Sequence, residues 1–136
     1  MNVREEGEVQ IKEETDIAVA RRTTRDVATK LGFGVTETAR IVTAASELGR
    51  NVYKYGGGGV MQWRSLSSSD VEGLELRFED EGPGIPDVNE ALREGHTTGG
   101  GLGMGLPGAK RLMDEMEIQS VVGKGTKVTV RKWRRP

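Results

Sequence analysis

A glycine-rich stretch, Thr97 to Gly108, is the part of the sequence best suited to bind an anion. Six of its twelve residues are glycine. Glycines leave backbone N–H groups accessible to a ligand, and clustered N–H donors suit a phosphate group. The residues that follow have the pattern of a helix start, with Pro107 tolerated in the first turn. The stretch therefore predicts a phosphate-covering loop that leads into a helix N-terminus.

Three common phosphate-binding motifs do not fit this stretch. A P-loop requires a lysine and a hydroxyl residue directly after its last glycine, whereas Ala109 follows Gly108. Residues 103–108 satisfy G-x-G-x-x-G, but a dinucleotide-binding fold requires a buried strand immediately before them, and residues 96–99 are not one. The H-R-D and D-F-G elements of a eukaryotic-type protein kinase are missing from the sequence.

Three side chains upstream have types and positions that suit nucleotide chemistry. Glu47 and Asn51 are four residues apart on a predicted helix, so both project from one face. Asp80 continues the inward register of a predicted strand, where burying an unpaired carboxylate is costly. The tight, proline-stiffened loop Glu81–Pro86 follows directly. The inward position of Asp80 therefore predicts a specific polar partner for its carboxylate.

Composition narrows the class of protein. The 136 residues fit one domain spanning residues 1–136. Lys+Arg (20) nearly balance Asp+Glu (21), which argues against a nucleic-acid partner, and without cysteine there is no disulfide or thiolate nucleophile. The sequence shows no apolar run of transmembrane length and no signal-peptide pattern, so we expect a cytoplasmic protein without a membrane partner.

The elements that must position these side chains can be predicted from apolar periodicity. Strands are predicted at residues 8–13, 60–66, 74–80, 118–122 and 126–130, and helices at 16–31, 36–55, 87–94 and from 106 onward. This order predicts an α+β fold, a two-layer α/β sandwich whose mostly antiparallel sheet carries helices on one face. Gly56–Gly59 is interpreted as a flexible turn, and residues 131–136 as a frayed, solvated tail.

The first predicted helix carries three arginines, Arg21, Arg22 and Arg25, away from its apolar stripe. A solvated basic face explains them, because charge on a helix is usually hydrated. A docking surface for an acidic protein partner explains them as well. The sequence leaves both interpretations open.

Four segments occur in the order and spacing of the GHKL ATP-binding fold, also called the Bergerat fold: Glu47–Asn51, Asp80–Gly84, Gly99–Gly105 and Gly125–Thr126. Each segment alone is a weak signal, but the combination is specific. The sequence therefore resembles the superfamily of gyrase, histidine kinases and MutL. Within it, the chain from Val9 to Trp133 is similar to the anti-sigma-factor-type serine kinases and to the switch kinases of the bacterial general stress pathway.

The resemblance implies a role for each polar side chain. Glu47 would be the catalytic base that takes the proton from an attacking serine hydroxyl. The alternative for Glu47 is an exposed helix acid paired with Arg50 or Arg40. Asn51 would ligate a Mg²⁺ ion that bridges the ATP phosphates. Asp80 would accept a hydrogen bond from the adenine amino group.

The other implied site residues surround the nucleotide. Gly82 and Gly84 would let their loop approach the adenine, Ile85 would form an apolar wall, and Thr126 would reach the same region. A lid over the phosphates would comprise Gly99, Gly100, Gly101, Leu102, Gly103, Met104, Gly105 and Leu106. We expect this lid to order over ATP and to loosen over ADP.

Taken together, the resemblance implies an ATP- and Mg²⁺-dependent protein serine/threonine kinase. Its substrates would be STAS-domain proteins of a stressosome-like complex, and after release it would activate a metal-dependent protein phosphatase by binding it. The alternative is an anti-sigma factor of the same fold that sequesters a sigma factor and phosphorylates its anti-anti-sigma antagonist. A binding module with a dead site is disfavoured, because Glu47, Asn51 and Asp80 are all intact.

Two positions depart from the wider superfamily. Related proteins often have a histidine shortly after the asparagine, where this chain has Tyr55. The single histidine, His96, lies beside the lid and not on an isolated dimerising helix. We therefore expect His96 to be a surface residue and not the phosphoacceptor of a histidine kinase.

Overall fold

The structure is a computed structural model that describes residues 1–93 and 105–134. Along these residues the elements are β1 (Asn2–Ile11), α1 (Thr15–Lys30), α2 (Val35–Lys54), β2 (Gly59–Ser68), β3 (Val71–Asp80), α3 (Val88–Ala91), α4 (Leu106–Leu112), β4 (Glu115–Val121) and β5 (Gly125–Trp133). The described strands form one antiparallel sheet in the order β1-β2-β3-β5-β4. The α+β prediction is confirmed.

The core lies between the sheet and the α1–α2 pair. On β3, Leu74, Leu76 and Phe78 are buried, as the alternation with charged residues predicted. Met61 on β2 and Val130 on β5 belong to the same buried cluster. Each such side chain contributes about 1.5–3 kcal/mol when fully buried. The inward register of β3 therefore also directs Asp80, at its end, to the helix side of the sheet.

The second helix starts earlier than predicted. It begins at Val35, and Gly34 occupies its N-cap position in place of a Thr36 cap. The predicted apolar stripe is correct toward the C-terminal end of α2 but wrong at its start, where Val35 and Ala39 are exposed. Ile41 is buried instead, because the helical spacing that leads to the core face runs through residue 41.

The strands are longer than predicted, because pairing continues through their charged residues. β1 begins at Asn2 and pairs with β2 along its length, apart from an irregularity between Val3 and Glu5. Alternation of apolar side chains marks only the half-buried end of such an edge strand. Among residues 1–93 and 105–134, no helix is both long and apolar enough to cross a membrane.

The basic C-terminal segment is a strand, so the prediction of a frayed tail is wrong for residues 131–133. Arg131 donates from Nε to Oε2 of Glu75 at 2.8 Å, and Glu75 is only 2 % exposed. Lys132 is buried, and its Nζ lies 3.1 Å from Oε2 of Glu37 at the start of α2. The positive charge of this segment suggested that it is solvated, but Glu75 and Glu37, which are distant in sequence, form ion pairs with Arg131 and Lys132. Residues 135–136 lie outside the described part.

Candidate nucleotide site

A pocket opens between α2, the end of β3, the loop after β3 and strand β5. Its lining is mostly apolar and includes Leu48, Val52, Phe78, Ile85, Leu106 and Val128. The polar side chains of Asn51, Asp80 and Thr126 also line it, together with Tyr55. Apolar walls with a few convergent polar groups are typical of a small-molecule site. The fold thus brings together three of the predicted polar site residues.

Asp80 lies at the pocket end of β3, directly opposite Thr126 on β5. Its Oδ1 accepts a hydrogen bond from the backbone N–H of Gly82 at 2.9 Å. Burial raises the pKa of Asp80, and the Gly82 N–H, which stabilises the ionised form, partly offsets that rise. A carboxylate accepts about four hydrogen bonds. Asp80 therefore retains acceptor capacity for a ligand that donates.

Gly56 is a pocket residue that the sequence analysis missed. A side chain at Gly56 would overlap the carboxyl group of Asp80, and a Cβ on Gly82 would come within 2.7 Å of the Gly56 backbone. Gly57 and Gly58 have φ of +75° and +110°, which confirms a turn there, whereas Gly59 is already the first residue of β2. The run of four glycines predicted the turn. It did not indicate that Gly56 is the position at which the two loops and Asp80 come into contact.

Ser120 on β4 connects the two sides of the pocket, and it too was missed. Its Oγ accepts a hydrogen bond from the backbone N–H of Ile85 at 2.7 Å. The same Oγ lies 2.9 Å from Oγ1 of Thr126. Gly84, at φ +80°, packs against the backbone of Val121. Ile85 and Thr126 are therefore held in place by one hydroxyl, whose role depends on pairing that its own strand does not reveal.

Glu47 and Asn51 lie one turn apart on α2, as their spacing predicted. Asn51 lines the pocket, whereas Glu47 lies beyond the pocket lining and is partly exposed. Oε1 of Glu47 is 3.3 Å from Nη1 of Arg50, so the ion pair in the alternative interpretation is present. On the other side, a Cβ added to Gly105 would be 2.8 Å from Oε2 of Glu47. The carboxylate thus lies between an arginine and the lid.

Only the last two lid residues belong to the described part of the chain. Gly105 is the N-cap of α4 and has a φ of +85°, which favours glycine. Leu106 is 1 % exposed and lines the pocket, and Pro107 lies in the first turn as predicted. The other predicted lid residues, together with His96, lie outside the described residues: Gly99, Gly100, Gly101, Leu102, Gly103 and Met104.

Two further sequence observations have a place in the structure. Tyr55, which stands where related proteins often have histidine, lines the pocket. Arg21, Arg22 and Arg25 on α1 are all exposed, and both interpretations of that basic face require exposure. Whether this face is only solvated or also docks a partner stays open.

The geometry agrees with a comparison against known families. Residues 11–132 match the family model described as "Histidine kinase-like ATPase domain". The chain belongs to this family. Membership implies that the chain binds ATP, and the match includes Glu47, Asp80 and Thr126.

Individual relatives agree with the family assignment. "Serine/threonine-protein kinase RsbT" of Bacillus subtilis (strain 168) is 49% identical over 127 residues, which cover 93% of this chain and 96% of that protein. An "Anti-sigma F factor" of Thermoanaerobacter sp. (strain X514) is 32% identical over 120 residues, covering 84% and 82%. The predicted resemblance is confirmed.

A solved structure supports the fold independently. The RsbU and RsbW domains of Rv1364c from Mycobacterium tuberculosis superpose with a TM-score of 0.66 at 18% identity. The superposition covers 98% of this chain and 34% of that one. At this identity the likeness shows a shared fold and nothing finer.

Proposed function

We propose that this chain is an ATP-dependent serine/threonine protein kinase of a partner-switching stress pathway. The observation that carries the proposal is the position of Glu47 on α2, one turn from Asn51 in the pocket and in contact with the lid at Gly105. The 49% identity with a serine/threonine kinase over almost the whole of both chains supports it.

The pocket suits the adenine of ATP. Asp80 accepts a hydrogen bond from the exocyclic amino group of adenine. Ile85 and Val128 provide apolar surface for the ring. Gly56 and Gly82 let the backbone come close to Asp80, so the Asp80 carboxylate is fixed in the pocket before adenine binds. The triphosphate then extends toward Asn51 and the lid.

The residues present fit a magnesium ion bound together with ATP. Asn51 offers a neutral amide oxygen at the pocket wall. Within residues 1–93 and 105–134, no three His, Cys, Asp or Glu side chains cluster to form a protein-only metal site. Mg²⁺ usually takes one or two protein oxygens and completes its shell with phosphates and water. Asn51 would therefore hold the ion, whose charge would stabilise the transferring phosphoryl group.

Proton removal is the part of the reaction assigned to Glu47. As the serine or threonine oxygen of the substrate bonds to the γ-phosphorus, its hydroxyl proton passes to the Glu47 carboxylate. The bond between the γ-phosphorus and the β–γ bridging oxygen breaks, and that oxygen leaves with ADP. Positioning provides most of the catalysis in such reactions. Because Glu47 is partly exposed, a protein substrate can reach it from solvent.

The proposed partners follow the resemblance to the switch kinases. STAS-domain proteins of a stressosome-like complex would carry the accepting serine or threonine. Once they are phosphorylated, the kinase would dissociate and activate a metal-dependent protein phosphatase by direct binding. The chain would thereby act first as an enzyme and then as a ligand.

An anti-sigma factor is the second candidate, and the 32–33% identity with several anti-sigma F factors favours it. Both functions use the same ATP site, so the site itself does not distinguish them. Co-purification does: a sigma factor as the stable partner would favour the second candidate. A STAS-domain protein or a phosphatase as the stable partner would favour the first.

The direct test uses labelled ATP, Mg²⁺ and a STAS-domain protein as the substrate. We expect phosphate transfer to serine or threonine by the wild-type chain. Glu47→Ala should reduce transfer to a small residual rate while ATP still binds, because Glu47 lies outside the pocket lining. Normal transfer by Glu47→Ala would refute its role as the base, and absence of transfer by the wild type would refute the proposed activity.

A further inference from the structure

The ion pair between Arg50 and Glu47 affects the orientation of the Glu47 carboxylate. Its consequence for catalysis rests on the proposed function, in which Glu47 is the catalytic base. Oε1 of Glu47 is 3.3 Å from Nη1 of Arg50. Oε2 faces Gly105, where even a methyl group would come within 2.8 Å. The two carboxylate oxygens therefore have different surroundings, one a cation on the same helix and the other the lid backbone.

Orientation matters for this carboxylate because Glu47 is partly exposed. Its side chain is 40% exposed, so packing alone does not select one rotamer. A base works when its acceptor oxygen is within hydrogen-bond reach of the proton it removes, and a third group commonly orients the base. A misplacement of about 1 Å costs roughly 100-fold in rate.

Stability does not account for the pair. Exposed ion pairs at this helical spacing contribute only about 0.2–0.5 kcal/mol. The same helix carries a second pair of this kind, Arg40 and Glu37, at 3.0 Å. The side chains of Arg40 and Glu37 are 52% and 38% exposed, against 54% and 40% for Arg50 and Glu47. The two pairs thus match in helical spacing and exposure, although Glu37 also pairs with Lys132 through Oε2, and only one pair includes the proposed base.

We propose that Arg50 is the positioning residue for Glu47. Arg50 holds Oε1 and leaves Oε2, on the lid side, as the oxygen that receives the hydroxyl proton. Since the pair adds little to stability, its loss should change turnover and not folding.

The experiment compares Arg50→Gln, Arg50→Lys and the matched control Arg40→Gln in transfer of labelled phosphate to the STAS-domain substrate. For Arg50→Gln we expect kcat to fall by about tenfold to 100-fold, with KM for ATP and the melting temperature unchanged. Arg50→Lys should restore part of the rate, because its ammonium can still bond one carboxylate oxygen. Arg40→Gln should behave as wild type.

A double-mutant cycle adds a readout that a merely structural role would not change. In a Glu47→Gln background, Arg50→Gln should cause no further loss of the residual rate. Unchanged kcat in Arg50→Gln alone, or an equal loss in both backgrounds, would overturn the role of Arg50 without affecting the proposed kinase activity. Wild-type protein that transfers no phosphate would instead refute the proposed function on which the inference rests.

Discussion

Gly105 lies directly against the carboxylate of Glu47, where an added Cβ would be 2.8 Å from Oε2 and 3.3 Å from the Cβ of Glu47. The two residues are far apart in sequence, one at the end of the lid and the other on α2. Their contact makes the lid part of the surroundings of the proposed base. A change in the lid near Gly105 is therefore expected to reach the chemistry directly.

Gly105→Ala should impair phosphate transfer. The new methyl group would displace Glu47, and alanine at φ +85° costs about 1–2 kcal/mol. We expect turnover to fall by about 100-fold with a lower melting temperature. Gly108→Ala is the control, because nothing lies within 4 Å of its Cβ position and alanine favours the helix. A Gly105→Ala variant with wild-type turnover would contradict the contact.

Asp80→Asn should weaken ATP binding, because the amide loses one of the acceptor oxygens that the adenine amino group would use. A loss of about 2 kcal/mol, or roughly 30-fold in Kd, is typical for a hydrogen bond to a charged group. Titration calorimetry with ATP measures it. Glu79→Gln, at the neighbouring β3 position on the opposite face, is the control and should bind as wild type. An unchanged Kd in Asp80→Asn would refute the adenine role.

Asp80→Asn also tests how the stability of the nucleotide-free protein depends on pH. Because burial raises the pKa of Asp80 above 3.8, the native state holds this proton more tightly than the unfolded chain. The contribution of Asp80 to stability therefore decreases as pH rises from its unfolded pKa through its folded pKa. The melting temperature of the wild type should therefore decrease relative to that of Asp80→Asn as pH rises across this range. Thermal denaturation at several pH values measures this, and a constant difference between the two melting temperatures would contradict the prediction.

Ser120→Ala should loosen the pocket at Ile85 and Thr126, since both bond the Ser120 hydroxyl. Removing it leaves the Ile85 N–H without this acceptor, at a cost of about 1–3 kcal/mol in stability. We expect a lower melting temperature and several-fold weaker ATP binding in the same titration. Gln119→Ala, the exposed neighbour, should change neither quantity. Equal behaviour of the two variants would argue against the hydroxyl as a link.

Lys132→Ala tests the corrected assignment of the C-terminal segment. Lys132 is buried, pairs with Glu37 and donates to the carbonyl oxygen of Leu112 at 3.0 Å. Its removal should lower the free energy of unfolding by about 2 kcal/mol, as measured by urea denaturation. Lys127→Ala should cost little, because Lys127 is partly exposed and lies 3.9 Å from Glu79. A frayed tail would make both variants equally stable.

Much of the fold was predictable because its strongest signals are local. The alternation around Leu76 gave the inward face of β3, and Asp80 belonged to that face. The four-residue spacing of Glu47 and Asn51 placed both on one side of α2. These predictions needed only the periods of a strand and a helix.

The errors at the C-terminal segment and at Ser120 concern residues whose contacts are made with segments distant in the sequence. Arg131 was predicted to be solvated, yet it bonds Glu75, which lies on another strand. Ser120 carries no local signal, and its two pocket bonds exist only because β4 pairs with β5 and the loop after β3 folds over it. Local patterns cannot reveal such partners, because strand pairing depends on the whole sheet.

The sequence by itself determined the elements, the polar side chains Glu47, Asn51 and Asp80, and the resemblance that named their chemistry. Only the tertiary structure decided that Asn51 lines the pocket while Glu47 lies outside it, between Arg50 and Gly105. The physical reason is that helical spacing sets which side of α2 a residue occupies. The packing of α4 and the sheet against α2 then decides what each side chain meets.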